Sequence, residues 1–423
     1  MAGLERQLRL LRTYALVTYP FVCIPFLYLF FRQNGLDLAT YGTVVAVYYA
    51  TMFVADVPTS VIADKLGQRA MMVVGPLILA AGFIVMFCWR SVAGFCVGEA
   101  LLGLGHSALS GPPSALLYEL LRRHGQEHRY LQEEARVHAR RLVGTGSSFL
   151  LGGLLAWLAW DGNDYGYAAT LLPTAVLCAV AGATAMFLQP AEPSRAGRWR
   201  SILARAGDDL RLPAVRWLLA YWVVLFALLR YPFHVYQVYL AEAATYEPLF
   251  AEPLFVGGVY AAMNLAAAPL SRRVPLLVTR FGRRTLFWAM PVMLGLSISA
   301  MGAFALGANT WPDAARLLVW LGIAMFFVQQ IPYGMHWALA QEFVNHRIQP
   351  EARSTVWSVL SLGGRATYAP INSWLFRLQK DSSTALVLVG AGLGGLCLGA
   401  AVMWSRPKGL LRGNDTMPTS PTE

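Results

Sequence analysis

The sequence predicts an all-α integral membrane protein of twelve transmembrane helices, arranged as two pseudo-symmetric six-helix bundles. Three observations lead there. Only 13% of the 423 residues are charged while 57% are hydrophobic, and mean hydropathy is +0.48; a soluble domain of that size needs more polar surface. Apolar runs long enough to cross about 30 Å of hydrocarbon recur twelve times along the chain. Short motifs also repeat at a near-constant offset between the two halves.

The runs lie near 13–32, 39–63, 70–88, 92–119, 140–160 and 165–188, then 214–240, 253–271, 285–307, 314–341, 353–377 and 383–404. Three arginines precede the first, which could pass for a signal peptide; it is too long and lacks a small-residue cleavage site, so it reads as an anchor. Pro20 and Pro25 remove backbone donors and bend it. The longest polar, basic connection near the middle is "QPAEPSRAGRWRSILARAGDDLRLP", residues 189–213. It divides an N-terminal bundle, 1–188, from a C-terminal one, 214–404, followed by a tail at 405–423.

Orientation follows from Lys and Arg, which cytoplasmic loops retain. An inside amino terminus puts 27 of the 34 on the cytoplasmic side, five outside (Arg32, Arg90, Arg316, Arg377, Lys380) and two within helices (Arg230, Arg365). The outer loops instead hold Asp37, Asp161, Asp164, Glu242, Glu247, Glu252, Asp313 and Asp381. Both termini are then cytoplasmic, in what is expected to be a bacterial inner (plasma) membrane. The net charge of +11 reflects topology, and no nucleic-acid partner is needed to explain it. Cys23, Cys88, Cys96, Cys178 and Cys397 all sit in or beside apolar spans, so neither disulfide, metal site nor cofactor is expected.

The turn after the second run reads "DKLGQR" at 64–69 and is echoed by "TRFGRR" at 279–284, 215 residues on; "EAR" at 134–136 returns at 351–353, 217 residues on. Such offsets in equivalent loops mark duplicated halves. Gly67 and Gly282 relieve the turns of Cβ constraint, and Arg69, Arg283 and Arg284 anchor helix ends at the cytoplasmic surface. Asp64 lies at the wrong end of its helix for a favourable dipole interaction and needs a partner elsewhere.

These features resemble the major facilitator superfamily. "SVIADKLGQR" is similar to its loop 2–3 signature, GxxxD(R/K)xGR(R/K), with Ser60 and Gln68 as departures. Ser110, Gly111, Ala115, Leu116, Leu117, Tyr118 and Glu119 resemble SGxxxALLYD, and Asp56, Pro58, Thr59 and Ser60 look like a variant of ExPTG. The Gly-Pro pair of the family's fifth-helix antiporter motif is not matched in "RRLVGTGSSFLLGGLLAW". The resemblance implies a cavity lined by the first, fourth, seventh and tenth spans. It also implies a cytoplasmic gate in which Asp64 meets the start of the eleventh span near Arg353, latching the outward-open state.

Asp56, Glu99, Arg230 and Arg365 fall well inside spans and sum to zero charge. Each costs about 2.5–3.5 kcal/mol at a helix centre, so all four face protein or water. Spacings of three or four residues align Glu99, Gly103, His106 and Ser110 on the fourth span, and Arg230, His234 and Gln237 on the seventh. On the tenth, Gln329, Tyr333 and His336 align with Gln330 beside them; Tyr19, Cys23 and Tyr28 mark the first. Glu99 reads as a proton-coupling carboxylate and Arg230 as the binder of an anionic substrate group or as the carboxylate's partner. A permanent Glu99–Arg230 bridge is the structural alternative. Asp56 is expected to support the gate, and Arg365 to make a structural pair.

Two enzyme-like motifs do not fit their context. "HGQEH", 124–128, matches the HxxEH of inverted zinc peptidases but lies in an arginine-rich loop. "GAGLGG", 390–395, lies inside the twelfth span with no strand before it. The expected function is therefore not enzymatic. It is proton-coupled secondary active transport of a small organic solute by alternating access in a monomer, with aromatic residues in the cavity suiting export of an amphipathic molecule. An uptake symporter, or a transport-inactive sensor or scaffold, remain alternatives.

Overall fold

The computed structural model describes residues 2–19, 21–159, 166–190, 212–347, 353–407 and 410–411. Most of the expected linker, 189–213, and the end of the tail lie outside these residues. The described residues contain fourteen α-helices, a few 3-10 turns and no strand. Among the described residues, nine helices are long and apolar enough to cross a membrane; the expected runs at 253–271 and 353–377 are helical but fall outside that set, as does the run at 13–32, which is helical only in part. The molecule is an all-helical, multi-pass membrane protein.

In the first half the helices are α1 (Ala2–Thr18), α2 (Leu27–Gln33), α3 (Leu38–Leu66), α4 (Gln68–Cys88), α5 (Val92–Leu109), α6 (Pro112–Arg122), α7 (Tyr130–Leu158) and α8 (Leu171–Ala185). The second half has α9 (Pro213–Ala243), α10 (Pro253–Phe281), α11 (Arg283–Thr310), α12 (Pro312–Arg347), α13 (Arg353–Asp381) and α14 (Thr384–Trp404). Two expected spans are broken. The first stops at Thr18 and resumes through a 3-10 turn, Ile24–Phe26, before α2. The fourth, read as one run over 92–119, ends at Leu109 and restarts at Pro112, whose missing N–H suits the first turn of a new helix.

Between α3 and α4, and again between α10 and α11, one glycine makes the whole turn. Gly67 has φ +88° and Gly282 φ +77°, a region where a Cβ is strained. Asp37 caps α3, its Oδ1 accepting from the Thr40 N–H at 2.8 Å.

The chain forms two compact units. One comprises Met1–Gly197, Gln237–Leu265 and Asn372–Lys380; the other comprises Arg198–Tyr236, Ala266–Ile371 and Asp381–Glu423. Within the first unit the first span meets α7 backbone to backbone: a Cβ on Gly144 would lie 2.0 Å from the Leu16 carbonyl oxygen of α1, and one on Gly152 would lie 2.1 Å from that of Val22, in the segment between α1 and the 3-10 turn. The end of α9, the start of α10 and the end of α13 belong to this unit. Gly42 on α3 admits the Phe376 side chain and its carbonyl accepts from Asn372 Nδ2 at 3.1 Å, while Lys380 Nζ reaches Asp37 Oδ2 at 2.7 Å. The Lys380 ammonium and the Thr40 amide hold the Asp37 carboxyl down at about 2.

In the second unit, glycines of "GAGLGG" lie inside α14 at helix contacts: a Cβ on Gly392 would lie 2.5 Å from the Gly295 carbonyl oxygen of α11. Close helix packing accounts for them.

Candidate functional site

The first unit's site is built around the break in the first span. Pro25 cannot donate a backbone hydrogen bond, and the chain tightens into the 3-10 turn there. In an unbroken helix the Tyr28 N–H would donate to the Ile24 carbonyl. Instead the Gln237 amide sits between them, Oε1 accepting from Tyr28 N at 2.7 Å and Nε2 donating to Ile24 O at 2.8 Å. A side chain inserted into the ladder in this way bends a helix. Gln237, expected to face substrate, is 5% exposed and spends both amide ends on the backbone.

Glu99 lies on α5, two turns beyond the Ser91 cap, and is 5% exposed. Its carboxylate makes neither ion pair nor hydrogen bond among the described residues. One helix face further along, the His106 ring is enclosed by aromatics, with centroids of Tyr19, Phe21 and Tyr48 at 5.6, 5.3 and 5.4 Å. Its Nδ1 is 3.0 Å from the Leu102 carbonyl oxygen, and the Arg141 guanidinium lies 5.0 Å over the Tyr19 ring.

The second unit gathers the other expected residues on α9 and α12. Trp222, Phe226, Arg230 and His234 follow one another at intervals of four along α9, one face of the helix. The Arg230 guanidinium lies over the Phe226 ring at 5.4 Å, and His234 stacks on Tyr368 of α13 at 6.3 Å. On α12, Gln329 accepts the Tyr236 hydroxyl at 2.5 Å and Gln330 Nε2 donates to the Phe326 carbonyl at 3.4 Å. His336 contacts the Tyr333 carbonyl through Nδ1 at 2.6 Å and lies against Trp222 at 5.9 Å. Trp222 in turn meets Trp337 and Trp357 at 6.1 and 5.7 Å. Two buried donors here, Trp222 Nε1 and Gln329 Nε2, have no hydrogen-bond partner among the described residues.

Among the expected gate residues, Gly67 and Gly282 form the turns described above, Arg69 and Arg283 are half-buried, and Arg284 is exposed. Asp56 is half-buried on α3. The side chains of Asp64 and Arg353, which the expected latch needs, lie outside the described residues. His124, in "HGQEH", directs Nδ1 at the Leu120 carbonyl at 2.9 Å, and Glu127 opens a 3-10 turn.

Sequence reasoning missed one charge cluster. Glu133, in the first turn of α7, is fully buried and accepts from Arg12 of α1, from Arg136 at 2.6 Å and from Arg129 at 3.2 Å; Arg129 also reaches Glu5 at 3.0 Å. The spacings of Arg129 and Arg136 from Glu133, four and three residues, were readable as a helix-face pattern. The partners from α1 were not.

The sequence profile of the Major Facilitator Superfamily matches residues 13–370. An uncharacterized transporter of Buchnera aphidicola subsp. Schizaphis graminum is 31% identical over 90 residues, 21% of this chain and 22% of the relative. The inner membrane transport protein YajR of Escherichia coli strain K12 is 30% identical over 89 residues, 21% of this chain and 19% of that one. These matches span about a fifth of each relative's length. Among solved structures, the nucleoside transporter NupG superposes with TM-score 0.77 at 13% identity, covering 95% of this chain and 99% of NupG. A POT family transporter in complex with 5-aminolevulinic acid gives 0.74 at 13% identity, covering 96% of each chain. At that identity they share the fold.

Proposed function

The chain belongs to the Major Facilitator Superfamily and is a membrane transporter; from that premise we propose that it moves a small organic solute by alternating access, drawing on protons, in the direction of export. Glu99 is the observation that supports proton coupling. An ionised carboxylate buried without a partner bears its desolvation cost alone, several kcal/mol. Charge on Glu99 is tolerated only when water or a cation reaches it, which is what a group that gains and loses a proton as access alternates requires. Arg230 is the residue proposed to meet an anionic group of the solute. The unpaired donors Trp222 Nε1 and Gln329 Nε2, with Trp222 lying against His336 and Trp337, suit an aromatic molecule bearing hydrogen-bond acceptors.

The cytoplasmic gate is proposed to pair Asp64 with the start of α13 near Arg353, supported by Asp56. The Lys and Arg asymmetry supports cytoplasmic termini, and the Buchnera and Escherichia relatives support a bacterial inner membrane.

Proteoliposomes carrying an imposed pH gradient test the coupling. The wild type is expected to concentrate solute against its gradient, and Glu99→Gln to lose that uphill movement while retaining solute exchange. Uphill transport by Glu99→Gln at the wild-type rate removes Glu99 from the coupling role.

A further inference from the structure

At the outer end of the first unit there is a cavity of about 370 Å³. Its wall comes from the broken first span (Pro25, Leu29, Arg32), from Tyr167, from Gln237 on α9 and from Phe250 in the turn before α10. That volume falls in the range of small-molecule sites, which combine a mostly apolar lining with a few placed polar groups.

Arg32 is the single charged residue in the lining. It is exposed, and its guanidinium makes neither ion pair nor hydrogen bond among the described residues. Cations are scarce on this side: Arg32 is one of five against 27 on the other. Of the others, Lys380 is bound to Asp37, and Arg90 donates to the Phe87 carbonyl at 3.1 Å. Glu242, Glu247 and Glu252 lie nearby in sequence but do not line the cavity. A guanidinium without an ion pair or hydrogen bond among the described residues, beside a wall that carries Leu29, Leu240, Phe250 and Val256, matches a ligand that is anionic at one end and apolar at the other.

We propose that this cavity, whose lining includes neither Glu99 nor Arg230, is a binding site for a small organic anion with an apolar body. The anionic group pairs with Arg32, and the body lies against Leu29, Leu240, Phe250 and Val256. Because Gln237 is both part of the wall and the amide that holds the first span bent, an occupant also braces that bend.

The test is titration of purified full-length protein in detergent with benzoate, benzamide and benzylammonium, followed by ligand-observed NMR. Benzoate is expected to bind at least about tenfold more tightly than benzylammonium. Arg32→Gln, an exposed position, should weaken benzoate about tenfold. Arg32→Lys should keep most of the affinity, and Ala241→Phe should fill the cavity and abolish binding. Repeating the titration in nanodiscs identifies the natural source of the anion. Benzoate displaced by phosphatidylglycerol but not by phosphatidylcholine marks a lipid headgroup, and equal binding in both marks a free solute. No benzoate binding by the wild type, or equal affinity for Arg32→Gln, overturns the proposal.

Discussion

Gln237 replaces one backbone hydrogen bond of the first span with two side-chain ones. Gln237→Leu keeps the volume and removes both, leaving the Tyr28 N–H buried without a partner at about 1–3 kcal/mol, while the Ile24 carbonyl still accepts from the Leu27 N–H. The expected net loss is about 2 kcal/mol, read as a lower thermal midpoint of the purified protein; an unchanged midpoint means the rung closed without cost. The bend itself was legible, because Pro20 and Pro25 announce it. What fills it was not: a buried Gln 209 residues downstream of Tyr28 looks in sequence like any polar residue on a helix face. The same holds for Glu133, whose local arginines were readable and whose partners on α1 were not.

The elements were legible where a local rule decides them. Glycine turns at 67 and 282, the cap at Asp37 and the long apolar helices all follow from residues within a few positions. The break in the fourth span is also local, since "SGPPS" places Pro112 where a continuing helix needs a donor, yet the apolar composition over 92–119 hid it. The α7 glycines separate packing from sequence more sharply. In Gly152→Ala the new Cβ meets a backbone carbonyl at 2.1 Å that cannot move alone, whereas at Gly146 nothing lies nearer than 3.8 Å. Gly152→Ala should therefore cost on the order of 3 kcal/mol or more and reduce monodisperse yield in size-exclusion chromatography. Gly146→Ala should elute as wild type. Equal behaviour of the two variants contradicts the close contact between α7 and the first span at Val22.

For the whole molecule, the repeat offsets of 215 and 217 residues pointed to duplicated halves, and the polar stretch 189–213 to the boundary between 1–188 and 214–404. The compact units divide differently, because Gln237–Leu265 and Asn372–Lys380 group with the first 197 residues. Duplication is written in sequence, but which ends pack together depends on contacts such as Lys380 to Asp37, 343 positions apart. With the Asp37 carboxyl held at about 2 against an ordinary 3.8, this tie contributes stability above the ordinary value and loses it as pH falls from about 4 towards 2. Asp37→Asn keeps a capping oxygen and removes the charge. The wild type should exceed it by less than about 1 kcal/mol at neutral pH, as both side chains are roughly half exposed, 51% and 45%. The difference in thermal midpoint should close near pH 2, and a gap unchanged at that pH would assign the effect to something other than the ion pair.

The glutamine that props the first span arrives late. While a ribosome is still making the N-terminal half, the Gln237 amide does not yet exist, and hydrocarbon offers the Tyr28 N–H no partner. Until then the proline-bent first segment has only its own backbone to offer that N–H. The two side-chain bonds that brace its proline bend form only after the seventh segment has been made, so the earliest span is finished by a residue from the second half of the chain.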